Sequence, residues 1–220
     1  MRIGIISEGQ ADIAVLTNLL KGLTGLDSND IVPLRPKLKF DKTHLAHLDP
    51  ESHGTWSLVR QECIERKKIE DFLAVADNTH IVIHIDTAEA TQFDVRPPIK
   101  NNHIYCEKLR ALVINKIHQW LDFTHLEETI YAIAIEEIDA WLLPIFETKD
   151  SCLINNPKSR LQYILTKKGQ DSTSNYANYL KLSIPLSKDR EIVRGKLLSK
   201  NCSLRLFYEE VKFSVMNRNL

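Results

Sequence analysis

Short apolar runs alternate with stretches of helical periodicity over the first two thirds of the chain. The runs at 2–7, 31–34, 80–86 and 129–135 have the length and the β-branched content of buried strands. The run from His80 to Asp86 is the clearest, because nearly continuous apolar content is typical of a parallel strand covered on both faces. We therefore predict that these runs form a parallel sheet.

Segments in which apolar residues recur at helical spacing lie between the predicted strands and after them. This spacing predicts helices between the strands at about 11–23, 55–76 and 103–120, and a helix after the last strand at about 138–146. Beyond Asp150 only helical patterns occur, at about 157–168, 174–182, 188–198 and 203–213. The alternation predicts an α/β fold with right-handed crossovers. We divide the chain into an α/β domain, residues 1–149, and a helical C-terminal extension, residues 150–220, that packs on it.

The net charge of the chain changes sign at the same boundary. The 220 residues carry 29 Lys+Arg and 29 Asp+Glu, so the formal net charge is zero. A neutral chain is unlike proteins that coat nucleic acid indiscriminately. Residues 1–149 nevertheless have a net charge of −7, and residues 150–220 have a net charge of +7. The acidic part could collect cations and the basic part anions.

Composition sets the class of protein. Hydrophobic residues make up 43% and charged residues 26%, as in soluble folded domains. No apolar run is long enough for a membrane span, and the N-terminal apolar run is too short for a signal peptide, so we expect a cytoplasmic protein. No pair of cysteines has C-x-x-C spacing, which favours reduced, structural cysteines; they are Cys63, Cys106, Cys152 and Cys202.

Acidic residues follow three of the predicted strands. Glu8 follows the first, Asp86 ends the third with Glu89 close behind, and Glu136-Glu137 follow the fourth with Asp139 just after. Ligands of open parallel sheets bind at the carboxyl ends of the strands, so these acids would share one edge. Converging carboxylates need a cation, and hard oxygen ligands suit Mg²⁺ or Mn²⁺. A metal there could activate water and neutralise a phosphodiester transition state. Each acid also has a simpler interpretation as a turn or a helix cap.

The motifs resemble those of Toprim domains, which occur in topoisomerases, primases and overcoming-lysogenization-defect (OLD) nucleases. Glu8-Gly9 after a strand, with Asp12 opening a helix, is similar to the first Toprim motif, and Ile83 to Asp86 is similar to the first half of the second. The tract from Ile135 to Leu143 resembles a Glu-Ala-Trp-Leu signature of a prokaryotic Toprim-like branch related to OLD-type nucleases. Asn156-Pro157-Lys158 and the helical C-terminus fit the same branch. The Toprim pattern has a second Asp at position 88, where this chain has Ala88. The prokaryotic branch usually has Glu at the position of Asp139.

The resemblance implies a mainly parallel four-stranded sheet flanked by helices, and roles for individual residues. Glu8 would be the general acid or base and a metal neighbour. Asp86, with Glu89, would bind Mg²⁺, and Asp139 or Glu136 would complete the metal shell. Lys158 would contact the scissile phosphate. The resemblance also suggests a role in defence against phages or mobile elements.

Basic residues of the extension could hold the phosphates of DNA or RNA opposite the acidic edge. The candidates are Lys158, Arg160, Lys167, Lys168, Arg190 and Arg194. Tyr163, Tyr176 and Tyr179 lie among them and could stack on bases or pack in the core. Exposed Lys and Arg on helices also occur without any such partner.

Three functions remain open. The first is a Mg²⁺-dependent phosphodiesterase, in particular a nuclease. The second is a catalytically degenerate Toprim-like module that binds nucleic acid or a partner ATPase, since this chain contains no P-loop of its own. The third is a structural or regulatory α/β protein without a metal.

The histidines are weaker candidates. His80 and His84 are separated by roughly 13 Å on a strand, too far for joint metal ligation. His84 lies two residues before Asp86, so we expect it in the core or behind the site. His44, His47 and His53 fall in a predicted loop. The chain has no G-x-S-x-G and no G-x-G-x-x-G motif, and Asp86 lacks the second Asp two residues on that an aspartyl phosphatase uses.

Overall fold

A parallel sheet forms the centre of the protein. The computed structural model describes residues 1–38, 55–100, 103–194 and 196–216. The strands are β1 (Arg2–Ile6), β2 (Ile31–Arg35), β3 (Asn78–Asp86) and β4 (Thr129–Ala134). They lie in the order β2-β1-β3-β4, and each neighbouring pair is parallel. The predicted α/β class and the predicted strands are confirmed.

Helices cover the sheet. Those between the strands are α1 (Gln10–Thr24), α2 (Trp56–Glu65), α3 (Lys67–Leu73) and α4 (His103–Trp120). Those after β4 are α5 (Asp139–Phe146), α6 (Pro157–Lys167), α7 (Tyr176–Leu182), α8 (Asp189–Arg194) and α9 (Cys202–Met216). Short 3₁₀ helices occur at Ser28–Asp30, Ala90–Phe93, Ile184–Ser187 and Leu198–Lys200.

Two of the predicted helices are wrong in extent. The pattern at 55–76 predicts one helix, but the chain turns between α2 and α3 because Arg66 adopts a left-handed backbone conformation with φ 57°. The pattern at 188–198 predicts one helix, but α8 ends at Arg194 and a 3₁₀ turn follows at Leu198. The predicted loop histidines His44, His47 and His53 lie outside the described residues.

Both faces of the sheet are buried, which explains the nearly continuous apolar content of β3. Val82 faces a core that it shares with α1 and with helices after β4. Ile81, Ile83 and Ile85 face the opposite core, with residues of α2, α3 and α4. Alternate residues of one strand therefore enter two cores: the face with Ile81, Ile83 and Ile85 is apolar, whereas the face with Val82 also carries the buried His80 and His84.

The helices after residue 149 share the core of the sheet. Leu161, Tyr179 and Phe207 belong to the same buried cluster as Ile3 and Leu16. Helix α9 packs on β4, and α7 packs along α1. None of the helices in the described ranges combines the length and the apolar character needed to cross a bilayer.

Candidate carboxylate site

Carboxylates meet where the strands β1, β3 and β4 end. Glu8 follows β1, and its Oε1 accepts a hydrogen bond from the backbone N–H of Asp86 at 2.8 Å. Asp86 ends β3, and its Oδ1 accepts from the backbone N–H of Ile138 at 2.9 Å. Each acid thus accepts a hydrogen bond from the backbone at or just after the end of the neighbouring strand, because the strands are parallel and adjacent. The predicted convergence of Glu8 and Asp86 is present in the fold.

A buried histidine lies beneath these acids. His84 is fully buried, with Nε2 3.3 Å from Asp86 Oδ1 and Nδ1 3.7 Å from Asp12 Oδ2. Asp12 lies in the first turn of α1, where Oδ2 also accepts the N–H of Gly9 at 2.6 Å. Trp141 meets the His84 ring edge-on at 6.3 Å. The imidazole therefore lies between two carboxylates, and neither of its nitrogens forms a hydrogen bond with the described residues.

Helix α5 supplies the third side of the site. Asp139 is its first residue and is buried, and the hydroxyl of Tyr179 donates to Asp139 Oδ1 at 2.5 Å. Two residues on, Trp141 is fully buried, stacks on Phe207 and donates from Nε1 to Ser203 Oγ at 2.8 Å. The tract noted in the sequence thus anchors α5 against α9 and holds Asp139 at the carboxyl edge.

The acids of the site have raised pKa values. Burial, with the neighbouring charge of Asp86, raises the pKa of Glu8 to about 8. Burial also raises the pKa of Asp12 to about 7 and that of Asp139 to about 6. Burial and the charges of Asp139 and Glu137 raise the pKa of Asp86 well above its usual value. Four carboxyl groups of this kind ionise together only if a positive charge joins them.

Lys158 lies at the rim of the site. Its side chain is exposed at the start of α6, and its positive charge lowers the pKa of Asp86 and of Asp139. Its backbone N–H donates to Glu137 Oε2 at 3.1 Å. Lys158 therefore lies close enough to Asp86 and Asp139 for its charge to act on both.

Two predicted acids are not among the groups that shift the pKa values of the site. Glu136 takes a left-handed backbone conformation, φ 64°, and its Oε1 pairs with Lys100 Nζ at 2.6 Å. The charge that helps to raise the pKa of Asp86 is therefore that of Glu137 and not that of Glu136. Glu89 is exposed at the start of the 3₁₀ helix Ala90–Phe93 and is not among the main causes of the raised pKa of Glu8, Asp86 or Asp139.

The predicted phosphate-binding residues are spread over two places. Lys158 and Arg160 begin α6, although Arg160 forms a salt bridge with Glu147 at 2.7 Å. Lys167 and Lys168 are exposed near the other end of α6, roughly 14 Å along the helix from Lys158. Lys167 lies 4.7 Å from the ring of Tyr163. Nine residues of an α-helix turn through about 180°, so Lys158 and Lys167 lie on opposite faces of α6 and do not form one row of cations.

Arg190 and Arg194 lie on α8, at a distance from the acids. Helix α1 begins at the acidic edge and runs away from it, rising about 15 Å from Asp12 to Gly22. At that far end Gly22 packs against the backbone around Leu186, just before α8. Arg190 is exposed there, and the side chain of Arg194 lies outside the described part of the chain. Helix α8, which carries both arginines, therefore lies away from the acidic edge.

The acids suit a hard metal ion held partly through water. Among the described residues, no three ligand atoms of these acids and His84 lie within 4.8 Å of one another. The donors are carboxylate oxygens, and burial is the largest cause of their raised pKa values. Mg²⁺ commonly uses one or two carboxylates and keeps several waters, so this donor set fits Mg²⁺ or Mn²⁺.

Several site residues carry little or no signal in the sequence. Asp12 follows Gly9 by three residues, the spacing of a helix-capping acid, and only the resemblance pointed to it. Tyr179 reaches Asp139 across 40 positions, and no local pattern marks it. Glu136 and Glu137 are equivalent in the sequence. Only the left-handed backbone conformation of Glu136 shows that Glu137 is the one that acts on Asp86.

Comparisons with known proteins leave the resemblance as a hypothesis. A scan of protein-family models, a search of curated proteins and a search of solved structures each returned no match.

Proposed function

We propose that the carboxylate site hydrolyses phosphodiester bonds of DNA or RNA with the help of Mg²⁺ or Mn²⁺. The observation that carries this proposal is the convergence of Glu8, Asp12, Asp86 and Asp139 at one edge of a parallel sheet with raised pKa values and a lysine at the rim. A divalent ion bound there would activate water and offset negative charge on the phosphate.

The side chains of the site divide the remaining work. Asp86 and Asp139 would hold the ion, since the charge of Lys158 acts on both; Asp139 is buried, and the side chain of Asp86 is 23% exposed. Glu8, with a pKa of about 8, is suited to exchange a proton near neutral pH, either taking one from water or giving one to the leaving oxygen.

Other residues would hold these groups in place. The buried ring of His84 would separate Asp12 from Asp86, and neither ring nitrogen hydrogen-bonds to them. Tyr179 would orient Asp139 through its hydroxyl hydrogen bond. Lys158 would position a non-bridging oxygen of the phosphate that is cleaved. Lys167 and Lys168, near the other end of α6, would contact other phosphates of the DNA or RNA.

A cleavage assay tests the proposal. Purified protein is incubated with supercoiled plasmid, single-stranded DNA and RNA in Mg²⁺, in Mn²⁺ and in a chelator. We expect metal-dependent cleavage that Glu8→Gln and Asp86→Asn reduce by about 100-fold or more, the usual size of a lost acid–base group. Asp71→Asn, an exposed acid on α3, is the matched control and should cleave as the wild type does. Equal cleavage by wild type, Glu8→Gln and Asp86→Asn would remove the catalytic assignment.

One observation favours a second function. Ala88 stands where the Toprim pattern has its second Asp, and its neighbour Glu89 is exposed. A site that has lost its second metal could bind nucleic acid, or a separate ATPase subunit, without cleaving. Binding of labelled DNA or RNA that Lys158→Ala weakens, without cleavage in Mg²⁺ or Mn²⁺, would favour this function.

A further inference from the structure

Three of the four cysteines meet away from the carboxylate site. Cys106 lies on α4, Cys152 lies between α5 and α6, and Cys202 begins α9. Their Sγ atoms all lie within 4.8 Å of one another. Cys106 and Cys152 are fully buried, and Cys202 is 5% exposed. Among the described residues this is the one group of three His, Cys, Asp or Glu side chains with ligand atoms so close.

A satisfied hydrogen-bond network holds two of the three backbones together. Ser151, next to Cys152, donates from its N–H to Lys200 O at 2.8 Å and from its hydroxyl to Ala140 O at 2.8 Å. Asn201, next to Cys202, donates from Nδ2 to Ser151 Oγ at 2.9 Å and also to Ala140 O. Asn201 Oδ1 accepts the N–H of Leu204 at the start of α9. The thiols of Cys152 and Cys202 are therefore positioned by buried polar contacts of their neighbours.

A disulfide is a poorer explanation of the cluster than a shared metal. The Sγ atoms of Cys106 and Cys152 are in contact, yet their Cα atoms are 7.3 Å apart. Disulfides usually join Cα atoms about 4.4–6.8 Å apart. One disulfide would also leave the third thiol, Cys202, buried beside it without a role. A metal ion accepts three thiolates at once and tolerates wider backbone spacing.

Positive charge lies beside the thiols. Arg205 Nη2 donates to Cys202 Sγ at 3.6 Å, and this contact and charge oppose the effect of burial on the pKa of Cys202. The guanidinium of Arg110 also interacts with Cys202. Both arginines share their charge with glutamates, Arg205 with Glu209 and Arg110 with Glu210. Three thiolates and a divalent ion carry one net negative charge, which a neighbouring guanidinium offsets.

We propose that Cys106, Cys152 and Cys202 bind a thiophilic metal ion, Zn²⁺, that joins α4, the segment before α6 and α9. Sulfur donors select Zn²⁺ over Mg²⁺, so this site and the carboxylate site hold different metals. Three protein ligands leave a fourth position on a tetrahedral ion for water or another donor. The site is independent of the proposed hydrolysis.

Metal analysis of the purified chain tests the site. Protein prepared under reducing conditions with Zn²⁺ and then desalted is expected to retain one zinc per chain by mass spectrometry of the elements. Replacement by Co²⁺ should give thiolate-to-cobalt charge-transfer absorption, and X-ray absorption should report three sulfur neighbours at about 2.3 Å. Cys152→Ser and Cys202→Ser should lose these signals. Cys63→Ser is the matched control, because Cys63 is buried and lies outside the cluster.

Measurements on the unaltered chain guard against variants that fail to fold. Removing zinc with a strong chelator should lower the melting temperature, and adding Zn²⁺ but not Mg²⁺ should restore it. The proposal is overturned if reduced wild type binds neither Zn²⁺ nor Co²⁺, or if Cys63→Ser loses metal as the cluster variants do. Recovery of a Cys106–Cys152 disulfide from reduced, metal-loaded protein would overturn it in favour of a redox pair.

Discussion

Replacing Glu8 by Gln should make the protein more stable at neutral pH and should flatten its response to pH. The pKa of Glu8 is about 8 in the folded chain, against an ordinary value of 4.5. Between these values the folded state keeps a proton that the unfolded state has lost, so the free energy of unfolding falls as pH rises. Below pH 4.5 both states are protonated, and the contribution is complete there.

The size of the effect follows from the width of this window. One proton difference changes the free energy of unfolding by about 1.4 kcal/mol per pH unit. From pH 4.5 to pH 7 the loss is on the order of 3 kcal/mol. Gln at position 8 retains an oxygen that can accept the N–H of Asp86, so the substitution removes the charge and keeps the hydrogen bond. We expect Glu8→Gln to be more stable than wild type at pH 7 by up to that amount.

Urea denaturation followed by tryptophan fluorescence at pH 5, 6, 7 and 8 measures the free energy of unfolding directly. The wild type should lose stability across this range, more steeply below pH 7, where Asp12 also keeps its proton in the folded state. Glu8→Gln should show a shallower slope, and Asp71→Asn should follow the wild type. Added Mg²⁺ should stabilise the wild type more at pH 7 than at pH 5, because it binds ionised carboxylates. Identical slopes for wild type and Glu8→Gln, or a wild-type stability that rises with pH, would refute the reasoning.

Three further changes test other parts of the structure. Tyr179→Phe removes the hydroxyl that lowers the pKa of Asp139, so the pKa of Asp139 should rise in carboxyl NMR titrations, and unfolding should cost about 1–2 kcal/mol less. Gly22→Ala places a Cβ 2.3 Å from Leu186 O; instead of the usual helix-stabilising gain of about 1 kcal/mol, the melting temperature should fall. Asn201→Ala breaks a buried network, with an expected loss of about 2–4 kcal/mol in urea unfolding, whereas an unchanged midpoint would contradict its role.

The sheet and the acidic edge could be predicted because they depend on local signals. The apolar run that ends at Asp86 indicates a buried parallel strand, and parallel strands necessarily bring their carboxyl ends to one edge. The chain reversal at Arg66 had no such signal, because Glu-Arg-Lys-Lys contains neither Gly nor Pro. There a residue other than glycine adopts φ 57°, and the packing of α2 and α3 on the sheet accommodates it.

The parts that the sequence did not reveal depend on contacts between distant residues. The thiols of Cys106 and Cys152 meet across 46 positions, and neither lies in a spacing that marks a metal site. Tyr179 acts on Asp139 only because α7 packs along α1 and faces the beginning of α5. Such contacts follow from the arrangement of helices, which periodicity alone does not determine.

The core shared by the sheet and the later helices limits how the chain could have been assembled in evolution. Phe207 and Tyr179 lie in the same buried cluster as Ile3 and Leu16. A gene fragment encoding residues 1–149 alone would leave the apolar side of α1 facing water, and that surface would favour aggregation over folding. A substitution on the buried side of α1 also alters the surface on which α7 and α9 rest, so residues 1–149 cannot be redesigned independently of the later helices.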